Sequence, residues 1–135
     1  MHVAKGSFEV KMGPAEPSAL AKDAGFGAMS IDKVWRGDLE ATSKGEMLHG
    51  AEASTGAMAY VALEKVQGFL NGYHGTFLLM HRASMLKSDP KSSVLEISVV
   101  PNSGTDQLVG LSGTVKIVID AKGGHTYEFD YTLSK

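Results

Sequence analysis

The sequence predicts an all-β chain that closes into a small antiparallel barrel of about eight strands, and three observations lead there. Sixteen glycines stand against four prolines, spread between short segments rich in Val, Ile, Thr, Tyr and Phe, which is the composition of many tight turns joining strands. Apolar and polar residues alternate with period two along most of those segments. A sheet of that many strands in 135 residues removes its unpaired edges most simply by closing, with a two-sheet sandwich as the competing arrangement. Eight strands enclose either packed side chains or one small ligand.

The elements follow in order. Phe8, Val10 and Met12 alternate with Ser7, Glu9 and Lys11, giving a first strand with one apolar face, ended by Gly13-Pro14. The stretch to Gly27 reads as a loop in which only Ala19, Leu20 and Ala21 favour a helical turn. Over residues 29–39, Met29, Ile31, Trp35 and Leu39 share a face with Lys33, while Ser30, Asp32, Arg36 and Asp38 take the other. Thr42-Ser43-Lys44-Gly45 reads as a hairpin turn returning through Glu46-Met47-Leu48. In the long strand 58–70, the face holding Met58, Tyr60, Ala62, Val66 and Leu70 carries a single charge, Glu64, and is assigned inward. Asn71-Gly72 is the sharpest hairpin signal, because both positions tolerate positive φ.

The strand 76–84 has two apolar faces, and burying the neutral imidazole of His81 costs less than burying the guanidinium of Arg82. His81 is therefore read as inward, leaving Leu78 and Met80 outside as a possible subunit contact. After the break at residues 87–90, Leu95, Ile97 and Val99 form one face, and Pro101 ends the strand. Val115, Ile117 and Ile119 alternate with Lys116; Tyr127, Phe129, Tyr131 and Leu133 alternate with Glu128, Asp130 and Thr132, with Gly123-Gly124 as the turn between.

Composition narrows the function classes. Thirteen basic and fifteen acidic side chains give a formal charge of −2, without the Lys/Arg cluster that nucleic acid or anionic membrane binding needs. With no cysteine there is no disulfide and no thiolate chemistry. The first ten residues include Lys5 and Glu9 and lack the apolar core of a signal peptide. No apolar run approaches the roughly 18 residues of a membrane span. The expectation is a single cytoplasmic domain over residues 1–135, long enough to bury about two thirds of its extended surface, with no nucleic-acid or membrane partner.

Several stretches together are specific: residues 33–40 (Lys33-Val34-Trp35-Arg36-Gly37-Asp38-Leu39-Glu40), Gly45-Glu46-Met47-Leu48, Tyr60-Val61-Ala62-Leu63-Glu64, Gly75-Thr76-Phe77 through His81, Val100-Pro101-Asn102-Ser103-Gly104-Thr105, residues 108–113, and 124–131. They resemble the bacterial DUF 3224 family over nearly the whole chain. The resemblance implies a small β-barrel similar to the allene oxide cyclase and dirigent barrels, and it brings no assigned reaction. Asp106 stands where the family motif usually has glycine, and Trp35 where it more usually has Phe. Fold does not carry function, so no catalytic residue is transferred.

By parity, Lys33, Glu64 and His81 point into an otherwise apolar interior, and an isolated buried charge is prohibitively costly unless paired, neutralised or wetted. They read either as a structural ion pair or as groups ringing a ligand cavity, with Glu64 or His81 accepting a proton. Tyr60, Tyr127, Tyr131 and Trp35 share inward faces, as core residues or as lumen walls. No His-x-His-Glu or His-Glu-x-x-His pattern supports a metal, and no cofactor is implied. The glycine-rich segment 103–113 lacks the ending of a phosphate loop and the spacing of a nucleophile elbow. Three functions stay open: a barrel binding a small, largely apolar molecule, a lyase or isomerase using Glu64 or His81, or a structural homo-oligomer with a filled barrel. A homo-oligomer is expected in any of them.

Overall fold

The computed structural model describes residues 1–134. Its strands are β1 (His2–Ala15), β2 (Gly27–Gly37), β3 (Leu39–Glu52), β4 (Ala57–Leu70), β5 (Tyr73–Leu86), β6 (Asp89–Val99), β7 (Leu111–Ile119) and β8 (His125–Leu133), with one short helix, α1 (Ala19–Asp23), and a 3-10 turn at Asp106–Leu108. Each strand pairs antiparallel with the next, and the first half of β1 pairs with β8 from His2↔Tyr131 to Phe8↔His125, so the barrel is closed. No helix among the described residues is long and apolar enough to cross a membrane.

Alternation sets the faces as expected: Ile31, Lys33, Trp35, Glu64, Val66, Leu70, Phe77, Leu79, His81, Ile97, Tyr127 and Phe129 are all buried. β1 is longer than its alternating core suggested. It begins at His2, where Ala4 packs fully buried, and runs through Gly13 and Pro14 to Ala15.

The expected turn at Thr42-Ser43-Lys44-Gly45 does not exist. These four residues lie in the middle of β3, and the turn falls at Gly37-Asp38 instead. Two causes act together. Gly37 takes φ 105°, a conformation open chiefly to glycine. Asp38 is tied on three sides: its carboxylate accepts from Lys5 N at 2.9 Å, its N–H donates to Lys5 O at 3.1 Å, and its carbonyl accepts from Asn71 N at 2.8 Å. The polar run 42–45 then simply alternates, with Thr42 and Lys44 outward and Ser43 and Gly45 inward. The turn at Asn71-Gly72 forms as expected, with φ 48° and 85°.

Side chains fill one half of the barrel. Trp35, Leu39, Leu70, Phe77, Leu108, Leu111, Tyr127 and Phe129 pack against one another there, Leu108 entering from the loop between β6 and β7. At the other end, where β2 and β4 begin and β3 and β5 finish, Met58, Met85 and Leu95 keep the inward parity yet are 47%, 42% and 51% exposed. That end is an open mouth.

Candidate functional site

Four buried polar side chains meet halfway along the barrel. Register places Lys33 on β2 opposite Ser43 on β3, Glu64 on β4 opposite Gly45, and His81 on β5 opposite Ala62. Gly45 is what lets Glu64 in: a Cβ built there would collide with the Leu63 carbonyl and stand 2.7 Å from Glu64 Cα. Glu64 Oε1 accepts from Lys33 Nζ at 3.2 Å and from His81 Nε2 at 2.8 Å, while Oε2 accepts from Ser43 Oγ at 2.6 Å. Ser43 Oγ in turn accepts from Trp35 Nε1 at 3.0 Å. The Lys33 ammonium also lies 5.1 Å from the ring centres of Phe8 and Trp35, within cation–π range.

Burial pushes the Glu64 carboxyl up, but the His81 hydrogen bond, the Lys33 charge and the Ser43 hydroxyl outweigh it and hold the group below the usual carboxylate range. An ionised carboxylate only accepts, so the proton of the His81–Glu64 bond sits on Nε2. Among the described residues no buried side-chain nitrogen or oxygen lacks a partner. Three donors on one carboxylate make a closely engaged ion-pair network, a poor proton acceptor whose stabilisation would be lost on protonation.

The structure thus brings Lys33, Glu64 and His81 together and adds Ser43, a residue whose local sequence favours a turn. Trp35, Tyr127 and Tyr131 stand apart from the open mouth, in the packed half. The Tyr127 hydroxyl accepts from Leu39 N at 2.9 Å and donates to Arg36 O at 3.0 Å, clamping the Gly37-Asp38 turn. Tyr131 accepts from Asn71 Nδ2 at 2.6 Å and ties down the neighbouring turn. Trp35 packs edge-on to Tyr127 with ring centres 5.2 Å apart.

Tyr60 is different. It lines a pocket of about 810 Å³ in the open mouth, with Phe26, Met29, Met47, His49, Met58, Ala83, Met85 and Leu95 among the walls. Lys33, Glu64 and His81 are not wall residues of this pocket. Buried Ile31 and Ala62 occupy the inward positions next to Lys33 and Glu64 on the mouth side, and buried Ile97 stands opposite His81. Burial and, second, the Glu64 charge push the Tyr60 phenol up. Sequence parity already sets Met29 and Met58 inward; His49, Met47 and Met85 are wall residues it does not reach. The signal was present: without the spurious turn, Ser43, Gly45, Met47 and His49 continue one inward face. Among the described residues no three His, Asp or Glu side chains converge as a metal centre would require.

Comparison with known proteins places this geometry among relatives. A family model described as "Protein of unknown function (DUF3224)" matches residues 4–131. The crystal structure of a protein with unknown function from the DUF3224 family of Shewanella oneidensis MR-1 is similar over 100% of this chain and 99% of that one, at 39% identity and a TM-score of 0.86. No curated protein matches.

Proposed function

Since the chain belongs to the DUF3224 family of proteins of unknown function, we propose from its geometry that it binds a small, largely apolar molecule in the open mouth of the barrel. The single observation that carries this reading is the pocket of about 810 Å³, within the roughly 300–1,000 Å³ typical of ligand sites. Its walls are mainly methyl, thioether and aromatic groups with four polar side chains among them, His49, Tyr60, Ser84 and Ser93, the usual composition of a site that takes an apolar body and orients it by a few contacts. Met29, Met47, Met58 and Met85 are unbranched and polarisable, so the walls adapt to a ligand without a fixed outline.

The Glu64 network beneath serves, in this reading, as a scaffold that fixes β2, β3, β4 and β5 relative to one another. Both Glu64 carboxylate oxygens accept from Lys33, His81 or Ser43, which makes the group a weak base, and Glu64 is not a wall residue of the pocket.

Titration with the neutral apolar dye Nile red tests the proposal. Saturable binding with a blue-shifted emission is expected, and Ala83→Trp, which puts an indole into the mouth, should weaken it at least about tenfold while circular dichroism stays that of the folded barrel. Absence of binding, or equal binding by the Ala83→Trp protein, would overturn the reading.

A further inference from the structure

We propose that the ligand of the mouth carries an uncharged carbonyl or hydroxyl group, held by Tyr60 and His49, and that the site rejects carboxylates. The inference rests on the pocket reading above and names the chemical class the pocket would take.

Its basis is a cross-strand pair. His49 on β3 stands directly opposite Tyr60 on β4, and both are wall residues of the pocket. Directly opposed residues on one face have Cβ atoms about 4.5–5.5 Å apart, so an imidazole and a phenol adjoin in a largely apolar wall whose other polar side chains are Ser84 and Ser93. A Cβ built on Gly27 would collide with the His49 ring, so that glycine gives the imidazole its place. Neither side chain hydrogen-bonds to another described residue, whereas Tyr127 and Tyr131 each have their hydroxyls engaged. A phenol inside an apolar wall normally finds a partner, and an unengaged pair aimed into a cavity is a ready contact for a ligand oxygen.

The charge preference follows from the walls themselves. Burial, first, and the Glu64 charge, second, push the Tyr60 phenol up, which leaves it a neutral donor, and no lysine or arginine is among the wall residues. A ligand carboxylate set against Tyr60 would lose hydration with no ammonium or guanidinium group beside it in exchange. A ketone, aldehyde, ester or alcohol loses less on entry and accepts the Tyr60 hydrogen bond, with His49 as the second contact.

A matched series tests this: butylbenzene, para-butylacetophenone and para-butylbenzoate titrated calorimetrically at mildly alkaline pH into the wild-type protein and into Tyr60→Phe and His49→Leu variants. The ketone is expected to bind at least about tenfold tighter than the benzoate. Each variant should weaken the ketone by about 2- to 10-fold, the worth of one net hydrogen bond, and leave the hydrocarbon unchanged. Benzoate binding equal to that of the ketone, or variants that weaken all three ligands alike, would overturn the inference and leave the pocket reading standing. Failure of all three to bind, Nile red included, would overturn the pocket reading and the inference with it.

Discussion

Glu64 is ionised in the barrel because its neighbours outweigh its burial, and that imposes a direction on stability against pH. Unfolded, a glutamate titrates at about 4.3; folded, burial pushes the group up but His81, Lys33 and Ser43 bring it lower. A depressed folded value means the unfolded chain binds the proton first as pH falls. The stabilisation is therefore fully present above the ordinary glutamate range and is lost as pH drops through the folded value. Urea unfolding at a series of pH values should show the wild-type midpoint falling on the acid side of that range, with a shallower fall for Glu64→Gln. Equal slopes for the two proteins would mean that this carboxylate is not what acid attacks. Parity alone made Lys33, Glu64 and His81 legible as an inward set, since the side-chain period of a strand admits only two faces. Ser43 was not legible, because its hydroxyl is at home in a turn and in a strand interior alike, and its partner lies 21 residues away.

β3 shows how an element is decided by its surroundings. Local composition at residues 42–45 favours a turn, yet ladders to β2 and β4 run unbroken past it, from Lys44↔Asp32 on one side to Lys44↔Lys65 on the other. Gly45 is then a strand residue whose missing side chain makes the space for Glu64. Gly45→Ala should cost about 1–3 kcal/mol, as overpacking of a tight core does, and should displace the Glu64–His81 contact. Thermal melting reads the first effect, and a change in the His81 ring signals by NMR reads the second. A neutral substitution would refute the close approach. β5 is finished in an unexpected manner too. Past the end of β6, the loop after Val99 takes over its edge: Val100 N donates to Leu78 O at 2.9 Å, Leu78 N to Ser103 Oγ at 3.0 Å, and Thr105 N to Thr76 O at 2.9 Å. The same loop delivers Leu108 into the packed half.

Closure gives the whole molecule eight seams of unequal strength. β3 and β4 are in register along their full lengths, from Leu39↔Leu70 to Glu52↔Ala57, whereas β6 and β7 share a single pair, Ser98↔Thr114. Native-state opening begins where pairing and packing are least. Amide hydrogen exchange should therefore be fastest along β6 and the facing edge of β7, and slowest in β4 and the first half of β5. Uniform protection around the barrel would contradict this ranking. The asymmetry between the ends matters as much: the same inward parity is a packed core at Trp35 and Tyr127 and a pocket wall at Met47 and Met85.

The sequence by itself determined the fold class, the closing of the sheet, the inward faces of β2, β4, β5 and β8, the turn at Asn71-Gly72, and the company of Lys33, Glu64 and His81. Closure follows from the cost of unpaired strand edges, and the rest from period-two alternation and glycine's backbone freedom, which are local properties. Tertiary structure alone decided where β2 turns into β3, which tyrosines are clamps and which one is a pocket wall, and that His49 meets Tyr60. These depend on depth along the barrel axis and on register between strands, and neither quantity is written in the alternation of a single strand. It is set by which residues the neighbouring strands present at the same height.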